Sequence, residues 1–325
     1  MIITADNKLI RYTGRWDINE TMASSSANGN YFEFKFIGET AVIGFNIKNC
    51  KTPFPHLFIS VDNGTRVEAV VDRYIRVSAD YGEHCVKVIL KSSVERQSRW
   101  SGAVEAMVTL SEIESENFVA PDEDTRKVIE FIGDSITEGI SIDTHYVNYE
   151  TSDDMVYWDD STAGYAYLTA KLLDMRPVIM GYGCLGTLSC GAGGIPPVEE
   201  SYPFYSDNRP MDSTKADYIV INHGTNDRKK DKEDFKNAYY SFLKSVRKRN
   251  PDSIIISVTP YSGCLAEEIK ESVNKYNEDF SDSVFYINST GWVPKEPLHP
   301  VRESHKIIAT KLSEIIKERF TEGNL

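Results

Sequence analysis

The feature that most limits the fold of this chain is a change of hydrophobic period near residue 115. Before it, apolar residues recur at every second position. Phe32, Phe34 and Phe36 share one face and Glu33 and Lys35 the other; Leu57, Ile59 and Val61 repeat the pattern, as do Val86, Val88 and Leu90. A period of two is that of a strand with one buried face. The groups Asn28-Gly29-Asn30, Asp62-Asn63-Gly64 and Tyr81-Gly82 fall between the runs, at the spacing of antiparallel hairpins. With short strands and no helical period, residues 1–114 read as a β-sandwich of jelly-roll type. Residues 115–127, SENFVAPDEDTRK, read as a linker: they are acidic, hold Pro121 and follow neither period.

From residue 128 strands and helices alternate. Val128, Ile129, Phe131 and Ile132 form a run buried on both faces. A helical pattern follows near 161–174, with Tyr165, Leu168 and Leu172 on one face and Ala166 and Ala170 beside them. Strands are expected at 177–181, 217–222, 253–258 and 283–288, and helices near 231–249, 265–278 and 302–319. Alternation of this kind specifies an α/β fold: a parallel sheet in a three-layer α/β/α sandwich, with strand order 2-1-3-4-5. The 325 residues are enough for two such units.

The strand at 128 runs into VIEFIGDSITEG, which delivers Ser135 to the carboxyl edge of the sheet, where ligands of open α/β sheets bind. Taken alone, Asp134 and Ser135 are a nucleophile turn or a helix cap. Further on, Ile219–Asn222 runs into His223, Gly224, Thr225, Asn226 and Asp227, and Glu296-Pro297-Leu298-His299-Pro300 precedes the last helical pattern. A glycine-rich turn, GYGCLG at 181–186, lies between the first two. Ser, Gly, Asn and His in this order on successive loops resemble the SGNH or GDSL hydrolases, over about residues 128–325.

The resemblance implies a role for each block. Ser135 is the nucleophile and His299 its base, since a serine hydroxyl attacks poorly without one. The oxyanion donors are the Ser135 N–H, the Asn226 side chain and a glycine, Gly186 by alignment of the preceding strand, with Gly183 as its rival. Where the family carries Asp three residues before the histidine, this chain has Glu296. Either Glu296 or a main-chain carbonyl then orients His299. His305 reads as structural, and His223 as a lining or backbone-bonding group. Asp134 and Asp227 read as loop holders.

A β-sandwich ahead of an SGNH unit resembles carbohydrate esterases that deacetylate plant-wall polysaccharides. That resemblance implies a serine esterase removing a small acyl group, acetyl above all, from a saccharide through an acyl-enzyme, with no metal or organic cofactor. His145, Tyr146, Tyr149, Tyr157, Trp158 and Trp292 either wall a sugar cleft or pack between the units. Alternatives are a lipid esterase or thioesterase of the same fold, and a carbohydrate-binding protein without activity. The oligomeric state is left open.

A net charge of −13 argues against nucleic acid or an anionic membrane as partner, and the basic runs at Lys229, Lys230, Lys232 and Lys244–Arg249 read as solvated helix faces. No apolar run of signal-peptide or membrane-span length is found, so a cytoplasmic protein is expected. Five cysteines, Cys50, Cys85, Cys184, Cys190 and Cys264, are odd in number and lack metal-ligand spacing. Free thiols are expected.

Overall fold

The computed structural model describes residues 1–143 and 155–320. The first nine strands are β1 (Ile2–Thr4), β2 (Ile10–Thr13), β3 (Asp17–Ile18), β4 (Ala23–Ser25), β5 (Tyr31–Phe45), β6 (His56–Val61), β7 (Val67–Val70), β8 (Tyr74–Ser92) and β9 (Val108–Val119). They hydrogen-bond into one antiparallel network, order β3-β4-β9-β5-β8-β6-β7, with β1 on β9 and β2 on β5. The long strands β5 and β8 connect what the sequence suggests as separate sheets, and register shifts in β5 near Gly38 mark where the ladder is interrupted. The alternation read from the sequence is the burial pattern: Phe32, Phe34, Phe36, Leu57, Val86, Val88 and Leu90 lie in one core.

Residues 115–119, expected in the linker, continue β9 instead and pair with β5. The reason is packing hidden by the surrounding acidic residues. Phe118 lies against Phe34, ring centroids 6.4 Å apart, and the Ser115 hydroxyl donates to the Thr40 carbonyl at 2.8 Å.

The second half holds a five-stranded parallel sheet: β10 (Val128–Gly133), β11 (Arg176–Gly181), β14 (Tyr218–Asn222), β15 (Ile254–Val258) and β16 (Phe285–Ile287), with a two-stranded ribbon, β12 (Phe204–Ser206) and β13 (Arg209–Pro210), on a connection. The sheet order is β11-β10-β14-β15-β16, which is 2-1-3-4-5 along the chain. Helices are α1 (Ser135–Glu138), α2 (Met155–Trp158), α3 (Tyr165–Leu172), α4 (Val198–Ser201), α5 (Lys232–Arg249), α6 (Ala266–Phe280) and α7 (Arg302–Phe320). Alternate strand residues feed two cores: Ile219 and Ile221 meet α5 and α6, while Tyr218 and Val220 meet α3 and α7. Three layers result.

Helix α5 illustrates how the sequence sets an element. Asp231 caps it by accepting the Glu233 and Asp234 N–H groups; acids occupy its first turn and Arg247, Lys248 and Arg249 its last, matching the helix dipole. Phe235, Tyr239, Phe242, Leu243 and Val246 form its buried stripe. In α3 the expected stripe is displaced: Tyr165, Ala166, Thr169 and Ala170 are buried, and Leu172 is 46% exposed. Small alanines allow close packing on the sheet, and the bulky leucine is the one turned out.

The two halves share a buried polar seam. Arg15 of the first half donates to Glu130 on β10 at 3.4 Å and to the carbonyls of Tyr202 and Phe204 at 2.9 and 2.8 Å. Glu130 stands where an inward apolar residue is expected, fully buried, and also accepts from the Tyr202 and Thr214 hydroxyls. Such a carboxylate is tolerated only with its partners in place.

Candidate active site

Strand register places the site. Gly133 at the end of β10 is level with Gly181 of β11 and Asn222 of β14. The loops that follow, carrying Ser135, Gly183–Gly186 and Gly224–Asn226, therefore leave the sheet from one line. Two glycines make this possible. A Cβ on Gly181 would stand 2.4 Å from the Glu138 nitrogen, so only glycine lets β11 lie this close to α1. A Cβ on Gly186 would stand 2.4 Å from the Asp227 carboxylate.

Ser135 opens α1, with Asp134 as its cap: the Asp134 carboxylate accepts the Ile136 N–H at 2.9 Å. Cap and candidate nucleophile are thus neighbouring residues with separate tasks. The Ser135 Oγ lies 2.8 Å from Nε2 of His299, on the loop before α7. Burial lowers the His299 pKa below the ordinary histidine value of 6.5, and the Glu95 carboxylate opposes the shift. A neutral ring at neutral pH is what a proton acceptor requires.

Asn226 donates through Nδ2 to the Leu185 carbonyl at 3.0 Å, tying the loop after β14 to the loop after β11. Asp227 secures the same join, accepting from the Thr187 N–H at 2.7 Å and from the Thr187 hydroxyl at 3.0 Å. The Ser135 N–H, at the head of α1, has no partner among the described residues. The glycine amides are both engaged: Gly186 N–H donates to the Ser189 carbonyl at 2.9 Å and Gly183 N–H to Glu138 at 2.8 Å. The Glu138 bond is to a buried carboxylate, so Gly183 is the less available of the two. Truncating Asn226 to Ala is expected to lower kcat by about 10² to 10³-fold, with KM little changed, in steady-state ester hydrolysis.

Glu296 is not brought to His299. Its side chain is exposed and makes no hydrogen bond or ion pair with a described residue. Spacing along a loop does not fix which way a side chain turns, and here the carboxylate faces outward. Among the described residues, the Glu95 carboxylate of the first half acts on His299 through its charge. Glu296→Ala is expected to leave kcat close to wild type, in contrast to the loss of about 10⁴-fold that follows removal of an orienting carboxylate.

Two other histidines, His305 and His223, are fully buried. His305 is buried and its Nδ1 accepts the Tyr165 N–H at 2.9 Å; burial pushes its pKa down to about 3. His223 is buried edge-on to Phe242, pushed down to about 4. Of the aromatic residues expected at the cleft, Trp292 packs near Tyr261 beneath Lys311, and Tyr157 meets His56 edge to face. Trp158 is 41% exposed. His145, Tyr146 and Tyr149 lie outside the described residues. All five cysteines are free thiols, and no cluster of metal-ligating side chains occurs among the described residues. No helix of the described residues is long and apolar enough to cross a membrane. A cleft of about 460 Å³ between the halves, lined by Tyr31, Arg66, Tyr167 and Lys171, contains neither Ser135 nor His299.

A serine and a histidine in contact at the carboxyl edge of this sheet, with asparagine and glycine loops beside them, define a hydrolase of the SGNH layout. Residues 131–288 match the GDSL-like Lipase/Acylhydrolase family. The protein is a carboxylic ester hydrolase.

The whole chain is similar in fold to three solved structures. A family two carbohydrate esterase from Cellvibrio japonicus has a TM-score of 0.80 at 21% identity, over 98% of this chain and 97% of that one. A family two carbohydrate esterase from Clostridium thermocellum, in complex with cellohexaose, has 0.78 at 23%, over 95% and 98%. An acetyl xylan esterase from the rumen bacterium Butyrivibrio proteoclasticus has 0.80 at 17%, over 98% of both. No curated protein matches the chain by sequence.

Proposed function

We propose that the protein is a serine esterase that removes a small acyl group, acetyl above all, from a carbohydrate. The observation that carries this is the 2.8 Å contact between Ser135 Oγ and His299 Nε2 at the level strand ends. The carbohydrate part rests on the resemblance in fold, along nearly the full chain, to proteins described as carbohydrate esterases. Both halves take part in that likeness, so it extends beyond the hydrolase unit alone.

In this scheme His299 takes the Ser135 proton as Oγ attacks the ester carbonyl. The negative charge on the former carbonyl oxygen meets the Ser135 N–H and the Asn226 amide; Gly186 joins them by exchanging Ser189 for the oxyanion. The tetrahedral intermediate collapses, the C–O bond to the sugar breaks, and His299 returns the proton to the sugar hydroxyl. Water activated by His299 then hydrolyses the acyl-Ser135 ester, releasing the carboxylic acid. No metal or cofactor enters the scheme. The test is acetate release from acetylated xylo-oligosaccharides and 4-nitrophenyl acetate, with long-chain acyl esters and acyl thioesters in parallel. Preference for the long chains or thioesters would overturn the substrate class.

A further inference from the structure

Glu138 closes the turn that Ser135 opens, and it is fully buried. Its partners come from both halves of the molecule. Arg99 Nη1 and Asn28 Nδ2, from the first half, donate to Oε1 at 2.6 and 2.9 Å. Gly183, on the loop that carries the candidate oxyanion glycine, donates its N–H to Oε2 at 2.8 Å. One carboxylate therefore joins the nucleophile turn to the neighbouring loop, and the first half holds that carboxylate.

Arg99 is itself fixed. It is fully buried, its Nη2 donates to the Ser93 carbonyl and hydroxyl at 3.0 and 2.9 Å, and the Ser93 hydroxyl donates to Asn28 at 3.2 Å. Its backbone N–H donates to the Gly193 carbonyl at 2.9 Å. The fit is close: a Cβ on Gly193 would lie 2.5 Å from the Gln97 carbonyl. Arg99 thus meets the 183–194 loop at one end through Glu138 and at the other through Gly193. Burial pushes the Glu138 carboxyl up to about 7, and the Arg99 guanidinium opposes this, favouring the ionised form that accepts on both oxygens. Solvation cannot substitute for it at a site closed to water.

We propose that Arg99 is a positioning residue for ester hydrolysis, setting the geometry between Ser135 and the oxyanion loop through Glu138. The inference rests on the esterase reading above. It assigns the first half a part in assembling the catalytic site, apart from any contact with sugar.

The test uses the full chain with Arg99→Met, Arg99→Lys and Asn28→Ala, beside Ser135→Ala. On 4-nitrophenyl acetate, well below each melting midpoint and with the folded fraction checked by circular dichroism, Arg99→Met is expected to lower kcat by about 10- to 100-fold with KM almost constant. Arg99→Lys recovers part of the loss, and Asn28→Ala shows a smaller loss of the same kind. Labelling of Ser135 by a small fluorophosphonate, followed by mass spectrometry, slows in parallel; a role confined to stability leaves it unchanged in folded protein. If Arg99→Met does not fold, Arg99→Lys and Asn28→Ala carry the test by the same readouts. Wild-type kcat in the folded variants, or a loss confined to KM, overturns the proposal. If Ser135→Ala is as active as wild type, the esterase reading itself fails; if it is inactive while the Arg99 and Asn28 variants turn over normally, only the positioning role fails.

Discussion

Replacing Ser135 with Ala is expected to lower kcat for 4-nitrophenyl acetate by on the order of 10⁵ to 10⁶-fold, the scale seen when a serine hydrolase loses its nucleophile. Removing Oγ leaves His299 with no proton to accept and the ester with no acyl acceptor other than water. The remaining donors still polarise a bound carbonyl, so residual hydrolysis above the buffer rate is expected. Intact-protein mass spectrometry after rapid quenching supplies the second measurement: an acyl adduct on wild type and none on the variant. Equal turnover by both proteins would remove Ser135 from the mechanism, despite its 2.8 Å contact with His299 Nε2.

The second large effect is on stability. Arg15→Met is expected to destabilise the protein by about 3–5 kcal/mol, because it leaves Glu130 buried without its cation. The same change strips the Tyr202 and Phe204 carbonyls of their donor, adding to the loss. Adding Glu130→Gln is expected to restore much of the stability, since the uncompensated charge is then gone and the Tyr202 and Thr214 hydroxyls keep an acceptor. Urea unfolding followed by tryptophan fluorescence and far-UV circular dichroism checks both. Coincident transitions would indicate that the halves unfold together. An Arg15→Met midpoint equal to wild type would mean that the seam contributes little.

Much of this was legible from residue types and spacing. The parallel strands announce themselves because both their faces are apolar, and the runs through Val128, Ile219 and Ile254 lie within a residue or two of where they were expected. Phe118 was missed because one aromatic among acids carries little periodic signal, although its partner Phe34 was evident. At the site, Ser135 and His299 were found from sequence and stand in contact. Glu296 could not be placed from sequence, because a loop's sequence does not say which way a side chain turns; its side chain is exposed. Glu95, Arg99, Asn28 and Glu138 were not singled out, for a different reason. Their association depends on how the two halves meet, with sequence separations of 39 and 110 residues between Glu138 and its two donors from the first half. The one local hint was an acid, Glu138, set just before Gly139 in an otherwise uncharged turn.

The alignment of Gly133, Gly181 and Asn222 has a consequence for how such a molecule tolerates change. Slipping any of these strands by one residue moves its loop by about 3.3 Å and turns every side chain to the opposite layer. Lengthening a loop beyond its anchored residues disturbs neither. Variation in what the protein accepts is therefore confined to the outer parts of the loops, while the reaction stays tied to a baseline that leaves almost no freedom to drift.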